Sequence, residues 1–171
     1  MALLEILHHP DPRLRETALP ISNIDDALQQ FIDDLFETMY AAPGVGLAAT
    51  QVGVAKRVAV MDCSETHDQP LVMINPEITA SETPEAIEEG CLSVPGVGDK
   101  VQRYQKLHFK AQDRHGHWYE MDAEGLLAQC VQHEIDHLEG KLFIDYLKPL
   151  KRQMITRKMV KLKRERAREK A

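Results

Sequence analysis

The 171-residue sequence has no run of about 18 consecutive apolar residues, so it predicts no transmembrane helix. Its opening, MALLEILHHPDPRLRE, lacks a basic segment, a long apolar stretch and a small-residue cleavage site, and we expect no secretory signal. Only three cysteines are present, Cys63, Cys91 and Cys130, and this odd number argues against a disulfide framework. These absences predict a cytoplasmic protein with reduced thiols and no membrane partner. A monomer is the default expectation.

The charges are distributed unevenly. Residues 148–171 contain 11 Lys or Arg and two acids, a net charge of +9, whereas the preceding residues contain 10 Lys or Arg and 25 acids, a net charge of −15. A basic tail on an acidic body indicates either a polyanionic partner or a solvated helix end, and the sequence leaves both open.

The first half of the chain predicts helix and then strands. Asp11 and Pro12 suit the N-cap and first position of a short helical turn. Apolar residues recur at helical spacing between 24 and 39, and Pro43 with Gly44 ends that helix. Two short apolar runs, 57–62 and 71–76, predict buried strands.

The second half predicts a hairpin followed by two helices. The turn of the hairpin falls at Asp113–Gly116. Asp122 can cap a helix from about Ala123 to Leu138, which Gly140 ends. A last helix, at about 149–171, has an apolar stripe that we expect to dock on the body, formed by Leu150, Met154, Ile155, Met159 and Leu162.

The segment QHEIDHLEG, residues 132–140, lies in the first of these two helices and contains the pattern HExxH. His133 and His137 are just over one turn apart, so their imidazoles project from one face, about 6 Å apart at Cβ, and can share a divalent ion. Glu134 lies beside them and can hold a water bound to that ion. The pattern also occurs by chance on ordinary polar helices.

A catalytic metal usually has three protein ligands, and the third one here must come from upstream. Downstream of the helix, the acids lie too close to the histidines or in the basic tail. Cys91, in the glycine-flanked segment EEGCLSVPG that we read as a loop, is a candidate thiolate ligand, although a lone cysteine is more often a small buried hydrophobe. Cys63 fits that second interpretation.

The order of elements lacks βαβ alternation and predicts an α+β fold. We expect one domain over residues 1–171, with mixed or antiparallel β-sheets packed around the central HExxH helix and a C-terminal helix. The segment PGVGLAATQ contains G-x-G-x-x-A, but a helical segment precedes it, so a dinucleotide site is disfavoured. Its glycines can instead bring the backbone close to a substrate.

Three segments together resemble peptide deformylase: GVGLAATQ (44–51), EGCLS (89–93) and QHEIDHLEG (132–140). The resemblance implies a metal held by Cys91, His133 and His137. Fe²⁺ is the expected native ion, with Zn²⁺, Ni²⁺ or Co²⁺ as possible replacements. The implied reaction removes the formyl group from the N-terminal formylmethionine of nascent polypeptides and releases formate.

The resemblance also assigns roles to the other residues. Glu134 is the implied acid and base, while the Gln51 side chain and the Leu92 backbone N–H stabilise the oxyanion. The resemblance implies six residues at the substrate: Val45, Gly46, Glu89, Gly90, Leu126 and Cys130. Of these, Leu126 and Cys130 border the methionine side chain, and Glu89 fixes the segment that bears Cys91.

Two segments depart from the family pattern. Gln129 stands where related sequences often carry an aliphatic residue, and VPGVGDK is glycine-rich where relatives often carry an arginine. The basic tail resembles the C-terminal helix of the bacterial type I branch and suggests docking to the ribosome. The alternatives are a small HExxH metalloendopeptidase, which needs a downstream ligand, and a binding protein that acts through its basic tail.

Overall fold

A computed structural model describes residues 2–169. Residue 1 and the last two residues of the predicted C-terminal helix, 170 and 171, lie outside this range. Within it the chain forms a five-stranded sheet and three α-helices. The strands β1 to β5 and the helices α1 to α3 have these bounds: α1 Asp26–Ala41, β1 Gly46–Ala48, β2 Val58–Met61, β3 Leu71–Cys91, β4 Val94–Gln112, β5 Trp118–Glu124, α2 Gly125–Leu138 and α3 Pro149–Glu169.

The sheet follows the order of the chain, and every neighbouring pair of strands is antiparallel. This confirms the α+β class and resolves the expectation of mixed or antiparallel sheets in favour of one antiparallel sheet. A single parallel bridge, between Leu19 and Lys56, lies outside the named strands. Among residues 2–169, no helix combines the length and apolar character needed to cross a lipid bilayer.

The predicted helix starts are partly right. Asp11 caps the 3₁₀ turn Pro12–Arg15, as expected. The first long helix begins after Asp25, whose carboxylate accepts a hydrogen bond from the Leu28 N–H at 2.9 Å. Its buried side chains recur every three or four residues, which places one face against β1 and β2.

The predicted start of the HExxH helix is wrong by two residues. Asp122 and Ala123 belong to β5, where Asp122 accepts a hydrogen bond from His108 Nδ1 at 2.7 Å and therefore does not cap the helix. The helix α2 begins at Gly125, whose φ of +59° makes the turn out of the strand. Gly140, at φ +77°, follows its C-terminus as expected.

The strand prediction at 71–76 was too short, because β3 continues to Cys91 and pairs with β4 along a long hairpin. Cys91 is therefore the last residue of a strand, paired with Val94, and does not lie in a loop. Most of the hairpin's outer residues are exposed, so the apolar alternation that marks a half-buried strand is missing there.

The apolar stripe of α3 docks only in part. Ile155 and Met159 are buried against Val94 and Val101 near the tip of the hairpin, with Leu162 packed beside them. Leu150 and Met154 are 70% and 61% exposed, which contradicts their predicted docking. Leu150 and Ile155 are five residues apart, as are Met154 and Met159. At 100° per residue, each pair is separated by about 140° around the helix axis, so the five apolar residues do not share one face.

Candidate metal centre and the surrounding cavity

The three predicted ligand side chains meet where the tip of the β3–β4 hairpin approaches α2. The Nε2 atoms of His133 and His137 are 3.0 Å apart, and His137 Nε2 lies 3.2 Å from Cys91 Sγ. All three ligand atoms lie within 4.8 Å of one another. Within residues 2–169 this is the one group of three His, Cys, Asp or Glu side chains that could hold a metal ion.

This geometry fits a tetrahedral ion. Bonds of about 2.0–2.1 Å to nitrogen and about 2.3 Å to sulfur place neighbouring ligands about 3.3–3.6 Å apart, slightly more than the observed distances. Three nitrogen and sulfur ligands also leave a fourth position, which is the pattern of a catalytic site. Cys91 Sγ accepts a hydrogen bond from the Ser93 N–H at 3.3 Å, which helps to fix the position of the sulfur atom.

Glu89 supports His133 from the side opposite the ligand position. Its Oε2 accepts from His133 Nδ1 at 2.8 Å and from Arg103 Nη2 at 2.6 Å, while its Oε1 accepts from Arg103 Nε at 3.0 Å. Burial alone would raise the pKa of Glu89, but the hydrogen bonds from His133 and Arg103 outweigh it and lower the pKa to about 2. This carboxylate therefore fixes the ring so that Nε2 faces the other two ligands.

Arg103 connects this contact to the rest of α2. Its Nη1 donates to Asp136 Oδ2 at 2.7 Å, and the Tyr146 hydroxyl donates to the same oxygen at 2.8 Å. The guanidinium is almost fully buried between two carboxylates, as expected for a planar bidentate donor. Neither Asp136 nor Tyr146 was among the predicted site residues.

Glu134 is buried beside the three ligands. Its Oε1 has no hydrogen-bond partner among the described residues, and its Oε2 lies so close to Gly46 that a Cβ there would collide with it. Burial raises the pKa of Glu134 to about 7. A carboxyl group with this pKa can accept and return a proton near neutral pH.

The two imidazoles have opposite tendencies. Burial, reinforced by the charge of His133, keeps the pKa of His137 well below its usual value. Burial also disfavours charge on His133, but the Cys91 thiolate and Glu134 outweigh it and raise that pKa well above the usual value. His137 therefore favours the neutral form that a metal ligand needs, while Cys91 and Glu134 favour a positive charge beside His133.

Gln51 approaches Cys91 from a 3₁₀ turn, Ala49–Val52, that follows β1. Its Oε1 accepts from the Ala48 N–H at 2.9 Å, which orients the amide so that Nε2 reaches Ser93 Oγ at 3.1 Å and Cys91 Sγ at 3.8 Å. Ser93 was not among the predicted site residues, although it stands two positions after Cys91. Leu92 follows Cys91 directly and also faces the cavity.

A cavity of about 820 Å³ opens in front of these groups. Eleven of the twelve predicted site residues line it, and His137 is the exception. Gln129 and the glycine-rich segment Pro95–Val97 line it too, so both departures from the family pattern border the space where a substrate would lie.

Comparisons with known proteins point in one direction. The family model described as polypeptide deformylase matches residues 3–153. The peptide deformylase of Alkalilimnicola ehrlichii is 57% identical over 166 residues, covering 96% of this chain and 93% of its own. The peptide deformylase of Pseudomonas aeruginosa is 57% identical over 168 residues, covering 98% of this chain and all of its own.

Solved structures agree. A peptide deformylase from Legionella pneumophila superposes with a TM-score of 0.92 at 52% identity, over 98% of this chain and 99% of its own. The enzyme from Ehrlichia chaffeensis in complex with actinonin gives a TM-score of 0.92 at 40% identity, over 96% and 99% of the two chains.

Proposed function

The chain belongs to the polypeptide deformylase family and is an enzyme that removes the N-formyl group from the N-terminal methionine of nascent polypeptides, and we propose how its own residues perform this hydrolysis. The observation that carries the proposal is the convergence of Cys91, His133 and His137 beside the buried, unpaired carboxylate of Glu134 in one cavity. A metallopeptidase is not favoured, because the candidate third ligand is an upstream thiolate.

The metal would be held by Cys91, His133 and His137. When bound, a divalent ion would make a water acidic enough to be a nucleophile near neutral pH and would polarise the formyl carbonyl. Glu134 accepts the proton of the attacking water and returns it to the leaving amine. Its pKa of about 7, raised by burial, suits both steps.

The negative charge that develops on the formyl oxygen needs donors fixed in advance. The Gln51 amide, held by Ala48, and the backbone N–H of Leu92 are the donors that we assign to it. Since both groups belong to buried or hairpin-tip segments, they need little rearrangement during the reaction. A formyl carbon carries only hydrogen and fits this confined position better than a peptide carbonyl does.

The remaining cavity residues would bind the methionyl peptide. Leu126 and Cys130, one or two turns before His133, border the pocket for the methionine side chain. Val45, Gly46 and Gly90 lie along the cavity wall, where their backbone can pair with the peptide. Glu89 acts on substrate only indirectly, through the hydrogen bond that orients His133.

We propose Fe²⁺ as the native ion because the family resemblance implies it. A thiolate with two imidazoles suits several divalent ions, so Zn²⁺, Ni²⁺ or Co²⁺ could replace it. Ferrous enzyme should lose activity in air faster than its nickel form. Equal lifetimes of the two forms would contradict iron as the oxygen-labile species.

We further propose that the enzyme works as a cytoplasmic monomer close to the ribosome. Arg157, Lys161 and Arg164 are exposed and lie on the face of α3 opposite the residues that it buries, which leaves them available to ribosomal RNA. Removing residues 149–171 should weaken ribosome binding at low salt, and unchanged affinity would remove this part of the proposal.

The central test is formate release from formyl-Met-Ala-Ser by anaerobically purified protein. Wild-type protein should release formate, and Glu134→Ala should release almost none while still binding metal. The absence of formate from fully metallated wild-type protein would refute the assigned chemistry.

A further inference from the structure

The side chain of Gln129 joins the helix that carries both histidines to the strand that carries Cys91. It stands on α2 four residues before His133 and lines the cavity. Its Nε2 donates to the backbone carbonyl oxygen of Glu88 at 2.9 Å and to Glu89 Oε1 at 3.3 Å. One amide group therefore spans from α2 to two consecutive residues of β3.

The contact with Glu89 leads directly to a metal ligand. Glu89 accepts from Gln129 and Arg103 on Oε1, and from His133 and Arg103 on Oε2. The orientation of this carboxylate determines the direction in which His133 Nε2 points, because the ring follows its Nδ1 hydrogen bond. Gln129 and Arg103 hold the carboxylate from different elements, α2 and β4.

The polarity of Gln129 needs an explanation at this place. The side chain is half-buried, and an aliphatic side chain of the same length would cover more apolar surface of the cavity wall. The amide hydrogens of Gln129 are directed to the backbone of β3 and to Glu89. These two hydrogen bonds therefore hold α2, which carries both histidines, to the strand that ends at Cys91.

We propose that Gln129 is a positioning residue for the metal centre. Acting through Glu89, it holds His133 in line and keeps α2 at a fixed distance from the end of β3, where Cys91 lies. This inference rests on the proposed function only in taking Cys91, His133 and His137 as the ligands.

The test is Co²⁺ binding to the metal-free full-length protein, followed by the visible absorption of the bound ion. Gln129→Met keeps the length of the side chain and removes the amide. We expect the Kd for Co²⁺ to rise roughly 3- to 10-fold, less than the 10- to 100-fold typical of a residue touching the ligand itself. The cobalt absorption bands should also shift, because the direction of one imidazole changes.

The matched control is Gln102→Met, which alters an exposed glutamine on β4 and should leave both readouts unchanged. Gln129→Asn keeps an amide but shortens its reach by one methylene, and should weaken binding as Gln129→Met does. It also replaces Gln129→Met if that variant does not fold.

A Kd and spectrum equal to wild type in a folded Gln129 variant would overturn the proposal. Failure of the ligand assignment has a different signature. Cys91→Ala would then bind Co²⁺ as tightly as wild type, with the same absorption bands.

Discussion

Replacing Arg103 by methionine should be one of the most destabilising single changes in this chain. The guanidinium is 4% exposed and donates to Glu89 and Asp136 at 2.6–3.0 Å. Methionine fills much of the same volume but leaves two carboxylates without their cation. Removing one partner of a buried ion pair typically costs about 3–5 kcal/mol, since the remaining charge stays desolvated.

The pKa of Glu89 gives a second route to this magnitude. Burial opposes the carboxylate, yet His133 and Arg103 lower its pKa from 4.5 to about 2. A difference of this size corresponds to about 3 kcal/mol of preference for the ionised form in the folded state. Arg103 contributes part of this preference for the ionised form. The loss expected for Arg103→Met is therefore consistent with the lower end of the range of about 3–5 kcal/mol.

The measurement is thermal unfolding of the metal-free protein, followed by far-ultraviolet circular dichroism. For a chain of this length the predicted loss corresponds to a fall in Tm of about 6–20 °C. Arg15→Met is the matched control, because the pair of Arg15 with Asp145 is at the surface and should contribute no more than about 1 kcal/mol.

The pH dependence sharpens the test. Because Glu89 has a lower pKa in the folded than in the unfolded state, its contribution is complete above about pH 4.5 and is lost as the pH falls towards 2. In Arg103→Met this acid-induced loss should be shallower. The reasoning is refuted if Arg103→Met costs no more than Arg15→Met.

Three further outcomes follow from Glu134 and Gly46. Glu134→Gln should lower kcat/KM by about 10²- to 10⁴-fold while metal content measured by atomic absorption stays unchanged, and retained activity would remove Glu134 as the acid and base. In metal-free protein the same variant should raise the free energy of unfolding at pH 8 by up to about 3 kcal/mol and have little effect near pH 4. Burial raises the pKa of Glu134 from 4.5 to about 7, so the stability contributed by its protonated form is lost as the pH rises through that range. Equal denaturation curves of the variant and the wild type at pH 8 would contradict this. Gly46→Ala should reduce kcat at least about 10-fold, because its Cβ would meet the Glu134 carboxylate, and wild-type kinetics would show that this carboxylate can move aside.

Local sequence signals predicted the elements that bury an apolar face. The helix around Ile32 and the turn at Asp113–Gly116 were found because period and turn chemistry agree there. The extension of β3 over residues 77–90 was missed, since this segment is rich in Glu, contains Thr, Ser and Pro, and is largely exposed. Cross-strand pairing, which no short window of sequence reveals, makes it a strand.

The metal site was predictable for a different reason. The spacing of His133 and His137 on one helix places them together, and the sequence shows that spacing directly. Cys91 was only a candidate ligand until the resemblance assigned it. The groups that were missed, Ser93 and Asp136, act through contacts between distant elements. Asp136 could have been noticed as an acid beside a ligand on a largely buried helix, but its partner Arg103 lies 33 residues away.

The tip of the β3–β4 hairpin gives the metal a role in folding. Cys91 and His137 are 46 residues apart in the chain, so an ion bound by both closes a long loop. By the entropy relation for a covalent cross-link, a closure of this length would constrain the unfolded chain by about 4 kcal/mol. The ion would thus act as a removable staple between the hairpin and α2, and its loss should loosen the docking of these two elements before either one unravels.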